Sequence, residues 1–267
     1  SLTGGVADVA GDFAFATPTA QPNVATTSAA VVFTPTDTTN YESRNFSVNI
    51  LVAKAGYVVT ISDLNKTYNG SAQGASVDAG NFTVDVTYAW PTASPTATST
   101  TAPTNAGSYT VSAVIVDDNY SGSASETLVI AKATPEVSAT PNVAALTYGD
   151  TLNNTDLANG EASVDGEFTF DAAGATPEAT ATSAAVTFTP ADTTNYDAVQ
   201  FDVDISVAKA VPSIDATPSA ATITYGQTLD DATLSGGSAV NSISGASVSG
   251  SGGVGGFAFA TPTAVPT

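Results

Sequence analysis

Apolar and polar residues alternate in short runs along this chain. The runs at 82–88, 109–113 and 201–207 each place every second side chain, aromatic or aliphatic, on one face. A period of two is the pattern of a strand with one buried and one solvated face. Glycine, proline and asparagine bound the runs, and the pair Asn69-Gly70 suits a turn that needs positive φ. No segment keeps a period of 3.6, so the pattern predicts strands and essentially no helix.

A repeat of about 77 residues organises these strands. The sequences V-A-K-A, I-A-K-A and V-A-K-A place Lys54, Lys132 and Lys209 at intervals of 78 and 77. A second element, which we call the Asn-Tyr turn, lies 12 or 13 residues before each lysine. Its residues are Asp37, Asn40 and Tyr41, then Asp118, Asn119 and Tyr120, then Asp192, Asn195 and Tyr196. Such periodicity indicates an array of similar small domains.

The repeat predicts four modules of two types. Residues 1–55 form the C-terminal part of a module of the first type, and 56–133 form a complete module of the second type. Residues 134–210 form a complete module of the first type, and 211–267 form the N-terminal part of another, with a Gly/Ser-rich insertion at 242–256. Six or seven strands in each complete module predict tandem immunoglobulin-like antiparallel β-sandwich modules, an all-β fold.

Each Asn-Tyr turn precedes the last strand of its module. We expect its Asp and Asn to bond the turn backbone, and its Tyr ring to fold under the sheet edge with the hydroxyl on a main-chain group. Together with T-Y-G-Q-T-L (224–229), Y-N-G-S-A-Q (68–73) and P-T-N-A-G-S-Y-T-V (103–111), these motifs resemble the MBG (mostly bacterial Ig-like) repeats of large bacterial surface proteins. The resemblance implies an Ig-like sandwich in a stalk or adhesin, without catalytic residues.

The amino-acid composition excludes several classes of catalytic and binding chemistry. The chain contains no Cys and no His, which removes thiol chemistry, the commonest general base and the commonest transition-metal ligand. Five basic and 25 acidic residues give a net charge of −20, which should repel nucleic acid. No apolar run is long enough to span a membrane. The sequence therefore predicts a protein that is not an enzyme, with no cofactor.

Several residues remain candidates for ligands. Calcium is the most plausible ion, with Asp117, Asp118 and Asn119 as candidate ligands, although turn aspartates usually cap backbone. The repeated lysines could form isopeptide links, but at module boundaries a solvated residue or a salt link to a turn Asp is expected. The Pro/Thr/Ser-rich loop at 91–103 and the neighbouring Trp90 could contact a glycan, or be a hairpin excursion and a core edge.

The function expected is that of a spacer in a bacterial extracellular fibre or surface adhesin stalk. Both ends of the chain fall inside a repeat, and the start lacks the features of a signal peptide, so a segment of a longer array is expected. One alternative is a filament subunit joined head-to-tail by strand complementation. The other is a module that binds glycans or surface proteins. The expected partners are thus neighbouring modules, copies of the chain, glycans or surface proteins.

Overall fold

A computed structural model of the chain describes residues 2–90, 97–240, 247–249 and 257–264. These residues form two compact units, Ser1–Ala133 with Thr194–Tyr196, and Thr134–Thr193 with Asp197–Thr267. The described chain is all-β apart from two single-turn 3₁₀ helices at Asn154–Asp156 and Leu229–Asp231. The loop residues 91–96 and the insertion residues 241–246 and 250–256 lie outside the described part.

The first module is a three-stranded antiparallel sheet. Its central strand pairs Phe33 with Phe13 on one side and Val31 with Phe46 on the other. Gly11 lies under the Phe33 ring, where a Cβ would come within 2.6 Å of the ring edge. The strands are β1 (Gly11–Phe15), β2 (Ser28–Pro35) and β3 (Arg44–Asn49).

The second module surrounds a core that includes Tyr88, Tyr109, Val111 and Leu128. Its strands are β4 (Ala55–Gly56), β5 (Thr60–Ser62), β6 (Asn65–Thr67), β7 (Ser76–Asp78), β8 (Val84–Trp90), β9 (Ala97–Ser99), β10 (Gly107–Ile115), β11 (Tyr120–Ser121) and β12 (Ser123–Ala131). The main sheet has the order β6-β12-β10-β8-β9, and β5 pairs with β7 in a separate two-stranded sheet. Gly70, at φ +79°, forms the positive-φ turn that the Asn69-Gly70 pair predicted.

The third module repeats the sheet of the first and adds short strands around it. Its strands are β13 (Val137–Ala139), β14 (Asn142–Val143), β15 (Leu146–Thr147), β16 (Leu157–Ala158), β17 (Glu161–Ala162), β18 (Gly166–Phe170), β19 (Ser183–Pro190), β20 (Val199–Asp204) and β21 (Val207–Ala208). Strands β18-β19-β20 form the three-stranded sheet, and β13 pairs with β17, β14 with β16 and β15 with β21 in separate two-stranded sheets.

The fourth module contains only short strands in its described part. They are β22 (Ser213–Ala216), β23 (Ser219–Ala220), β24 (Leu234–Ser235), β25 (Ser238–Val240) and β26 (Ser247–Ser249). Gly237 lies against Phe257 as Gly5 lies against Phe13 and Gly160 against Phe168. This shared contact indicates that the three phenylalanines occupy equivalent positions of the repeat.

The predicted fold class, all-β Ig-like modules with essentially no helix, is confirmed. The predicted alternation also holds, since Tyr109, Val111 and Ala113 are buried on one face of β10. One feature was not predicted. In each complete module the third strand pairs in parallel with the last strand, β6 with the end of β12 and β15 with β21. These pairs span two or three residues, which is too short for a sequence period to reveal. The module boundaries remain predictions.

Candidate functional site

The second Asn-Tyr turn joins the first module to the second. The Asp117 carboxylate, and not that of Asp118 as predicted, accepts the N–H groups of Asn119 and Tyr120 at 2.7 and 2.9 Å, which closes the turn. The Asn119 side chain then extends from the turn. Its Oδ1 accepts the N–H of Val24, 95 residues earlier in the chain, at 2.9 Å. A side chain of the second module therefore binds the backbone of the first.

Main-chain contacts reinforce this junction. The carbonyl of Asn119 accepts the N–H of Ala55 at 2.8 Å, and β11 pairs in parallel with β4. Lys54 Nζ donates to the Asp117 carbonyl at 2.7 Å. The A-K-A sequence and the Asn-Tyr turn are thus partners in space. The A-K-A sequence meets the turn that follows it, more than 60 residues later, which explains why the two elements recur together.

The third Asn-Tyr turn makes equivalent contacts within the first compact unit, to which Thr194–Tyr196 belong. Asn195 Oδ1 accepts the N–H of Ala106 at 2.8 Å, and its Nδ2 donates to Asn105 Oδ1 at 3.4 Å. The Asn195 carbonyl accepts the N–H of Ala133 at 2.9 Å, as Asn119 does for Ala55. Asn195 is only 5% exposed, so this asparagine is the more enclosed of the two.

The first Asn-Tyr turn uses its asparagine locally. Asp37 Oδ1 accepts the N–H groups of Thr39 and Asn40, and Asn40 Nδ2 donates to Asp37 Oδ2 at 2.8 Å. The hydrogen bond from the Asn40 side chain, aided by the backbone bonds, lowers the pKa of Asp37. Asp37 therefore bonds the turn backbone as predicted, whereas the Asn40 side chain bonds the Asp37 carboxylate and not the backbone. In the other two turns the asparagine side chain instead reaches a distant loop.

The tyrosines of these turns are less buried than expected. Tyr41 and Tyr120 are 50% and 40% exposed, so the prediction that their rings fold under a sheet edge is wrong. The Tyr120 ring lies on Phe82 at a centroid distance of 4.7 Å, and Tyr196 meets Tyr68 edge-on at 5.3 Å. These rings pack against other aromatic side chains at the module surface.

The hydroxyl-to-backbone bond occurs at a different tyrosine. Tyr109, 3% exposed, donates its hydroxyl to the carbonyl of Asn105 at 2.7 Å. A tyrosine near the start of a strand that bonds backbone four residues upstream follows the logic of the tyrosine corner. Burial raises the pKa of this phenol. The bond fixes the Asn105–Ala106 loop, which is the loop that receives Asn195.

Trp90 forms part of the core edge of the second module. Its ring meets Tyr109 edge-on at a centroid distance of 5.7 Å and packs against the buried cluster. The reading of Trp90 as a core edge is therefore supported over that of a glycan platform. Of the adjoining loop, 91–96 lies outside the described residues.

The structure adds no support for a ligand at the calcium and lysine candidates. Across the described ranges, Asp and Glu side chains do not gather in groups of three that could hold a metal. Calcium at Asp117, Asp118 and Asn119 would compete with the bonds that Asp117 and Asn119 make, and stays a prediction. Lys54 binds the Asp117 carbonyl, and Lys132 and Lys209 are exposed.

In the part of the chain that the structure describes, no helix has the length and apolarity to cross a bilayer.

Comparisons with known proteins bear on the second module. The solved structure described as "Structures of Clostridium thermocellum CbhA fibronectin(III)-like modules" is similar at 17% identity, covering 57% of this chain and 94% of that chain, with a TM-score of 0.20. At that TM-score the similarity carries no argument about the fold, and the assignment of the fold is based on the observed strands. No curated protein matches the chain. Residues 58–134 match the family model described as the MBG domain. The second module therefore matches the MBG family, in agreement with the resemblance of its motifs.

Proposed function

We propose that this chain is a spacer segment of a bacterial extracellular fibre or surface adhesin stalk, with no catalytic role. The observation that carries the proposal is the repeated junction. Asn119 and Asn195 each bind a backbone N–H of a preceding loop, and their carbonyls each bind an alanine of an A-K-A sequence. At Asn119, the junction has both side-chain and main-chain bonds, which restrict the rotation of the first module against the second, and a spacer needs that restriction.

The surface chemistry suits the same role. Only 11% of the residues are charged, and acidic residues outnumber basic ones 25 to 5. A net charge of −20 keeps neighbouring chains apart and soluble without offering a basic patch to nucleic acid. The resemblance of the repeats to those of bacterial surface proteins supports an extracellular location. The absence of His and Cys from the sequence is consistent with a mechanical role.

Pulling a single chain from its two ends tests the spacer role. We expect separate rupture events, because each complete module has its own core. Two of them should each release about 25 nm, since about 77 residues extend by up to 3.3–3.6 Å per residue. Force spectroscopy with the full chain between handles gives these lengths directly.

The contour length released at each rupture shows whether the modules unfold separately. One event that releases the whole contour length would mean that the modules unfold as a unit and would contradict the modular spacer. Extension without force peaks would mean that the modules bear no load, and would also contradict it.

A further inference from the structure

The chain contains two Asn-Gly pairs, Asn69-Gly70 in the second module and Asn159-Gly160 in the third. An asparagine followed by glycine exposes its side-chain amide to attack by the next backbone nitrogen, because glycine has no Cβ to obstruct the approach. Both asparagines are exposed to solvent. The same reactive dipeptide therefore occurs twice in one molecule, in two different surroundings.

The first pair lies in an open turn. Residues 68–75, between β6 and β7, are all described and belong to no strand. Gly70 adopts φ +79°, and a Cβ added there would meet no described atom within 4 Å. The Asn69 side chain folds over the turn, since its Oδ1 accepts the Ser71 N–H at 3.0 Å. Its amide carbon is thus held beside the backbone that follows, and the peptide plane between Asn69 and Gly70 has space to rotate.

The second pair is clamped by its surroundings. Asn159 lies in the left-handed region at φ +60°. Gly160 is half-buried, and a Cβ built on it would come within 2.7 Å of the Phe168 ring and 2.8 Å of Pro141. The strands on either side are paired, β16 with β14 and β17 with β13. Rotation of the Asn159–Gly160 peptide plane would push Gly160 into these neighbours.

We propose that Asn69 is a site of spontaneous deamidation, and that the packing of Gly160 protects Asn159 from the same reaction. The Gly70 nitrogen loses its proton to hydroxide and attacks Asn69 Cγ. The bond from Cγ to Nδ2 breaks and the amide nitrogen leaves as ammonia, so a succinimide ring forms. Water then opens the ring. Cleavage of the bond from the Gly70 nitrogen to Cγ gives aspartate, and cleavage of its bond to the main-chain carbonyl carbon gives isoaspartate.

The reaction exchanges one ammonia for one water and needs no other reactant. It adds a negative charge to a chain of charge −20, and the isoaspartate product lengthens the backbone beside Tyr68 by a methylene. The Tyr68 N–H donates to the Ala131 carbonyl at 2.9 Å, and its ring meets Tyr196 edge-on. The modified residue therefore adjoins the contact between the second module and the third Asn-Tyr turn. The inference does not depend on the spacer role.

Peptide mapping by mass spectrometry tests the proposal on the full chain. The chain is incubated in mildly alkaline buffer, which favours loss of the backbone proton, once folded and once unfolded in guanidinium chloride. In the unfolded chain neither pair is held, so Asn69 and Asn159 should lose ammonia at similar rates. In the folded chain Asn69 should react about tenfold faster than Asn159 or more, because reaction at Asn159 requires a local opening of its strands. Chromatography of the peptides separates aspartate from isoaspartate.

Matched variants connect the chemistry to the intact protein. On ion exchange, the folded wild type should accumulate a species that is more acidic by one charge. Asn69→Gly should prevent most of that accumulation, whereas Asn159→Gly should leave it in place. Glycine suits both variants because it removes the amide and tolerates turn conformations, including the positive φ of Asn159. Circular dichroism and Trp90 fluorescence check that both variants remain folded.

Three results would overturn the proposal. Equal rates at Asn69 and Asn159 in the folded chain show that the packing of Gly160 gives no protection. A difference that persists unchanged in guanidinium chloride shows that neighbouring residues, and not the fold, set the two rates. Acidic species that accumulate in Asn69→Gly as fast as in the wild type show that the new charge arises at another residue.

Discussion

Tyr109→Ala is expected to destabilise the second module by about 3–5 kcal/mol, the range for truncation of a buried aromatic side chain. The ring is 3% exposed and packs in the core with Val111, Leu128 and Trp90. Its hydroxyl also holds the Asn105 carbonyl. Trp90 is the only tryptophan in the chain, so its fluorescence during denaturant unfolding reports this module alone.

Tyr109→Phe separates the ring from the hydroxyl. This variant keeps the packing and should lower the free energy of unfolding by only about 0.5–1.5 kcal/mol, the net value of one hydrogen bond, or somewhat more because the Asn105 carbonyl loses a partner.

Burial raises the pKa of Tyr109 above the value of the unfolded phenol. The stability that its neutral form contributes is therefore complete below about pH 10 and declines as the pH rises through the folded pKa. Equal midpoints for Tyr109→Ala and the wild type would refute this assignment.

Phe188→Ala is expected to destabilise the third module by about 3–5 kcal/mol, because the ring is 1% exposed at the centre of its sheet. The sequence supplies a matched control at Phe33. The pairs Phe13–Phe33 and Phe168–Phe188 have the same geometry, with centroids 4.8 Å apart and planes at 44°. Phe33 is only half-buried, so Phe33→Ala should cost roughly half as much.

Two probes distinguish the modules in that experiment. Far-UV circular dichroism follows all modules, whereas Trp90 fluorescence follows the second. Phe188→Ala should lower the midpoint of one unfolding transition followed by circular dichroism. The midpoint followed by Trp90 fluorescence should stay unchanged. Equal losses for Phe188→Ala and Phe33→Ala would contradict the difference in burial between the first and third modules.

The strands could be predicted from the sequence because the alternation of apolar and polar residues within each strand reflects which of its two faces is buried. Alternation at 82–88 and 201–207 marks a buried face without any knowledge of the partner strand. Phe13, Phe168 and Phe257 occupy equivalent positions of the repeat. Each of them meets a glycine, at Gly5, Gly160 and Gly237.

The junction could not be predicted in the same way. Asn119 binds Val24 across 95 residues, and its carbonyl binds Ala55 across more than 60. A single sequence contains no signal for the register of such distant pairs. The sequence placed the turn asparagines correctly in turns, but it assigned their side chains to the local backbone. Only the Asn40 side chain bonds within its own turn, and its partner is the Asp37 carboxylate, not the backbone.

The tyrosine hydroxyl bond was predicted at the wrong residue, although a signal for the right one exists. Tyr41, Tyr120 and Tyr196 recur with the repeat, which drew the prediction to them. Tyr109 instead begins an alternating strand, four residues after Asn105 in P-T-N-A-G-S-Y. A tyrosine at the start of a buried strand, after a Pro/Asn/Gly-rich loop, can reach that loop with its hydroxyl.

The central claim is that the Asn-Tyr turn locks one module to the next, and the distance distribution across the first junction tests it most directly. The chain has no native Cys, so spin labels at Ser47→Cys and Glu126→Cys, both on exposed strand positions, report this junction alone. Pulsed electron resonance should give a narrow distribution for the labelled chain and a clearly broader one after Asn119→Ala. Asn40→Ala, which changes a turn asparagine outside the junction, should leave the distribution narrow. An Asn119→Ala distribution as narrow as that of the parent would contradict the account.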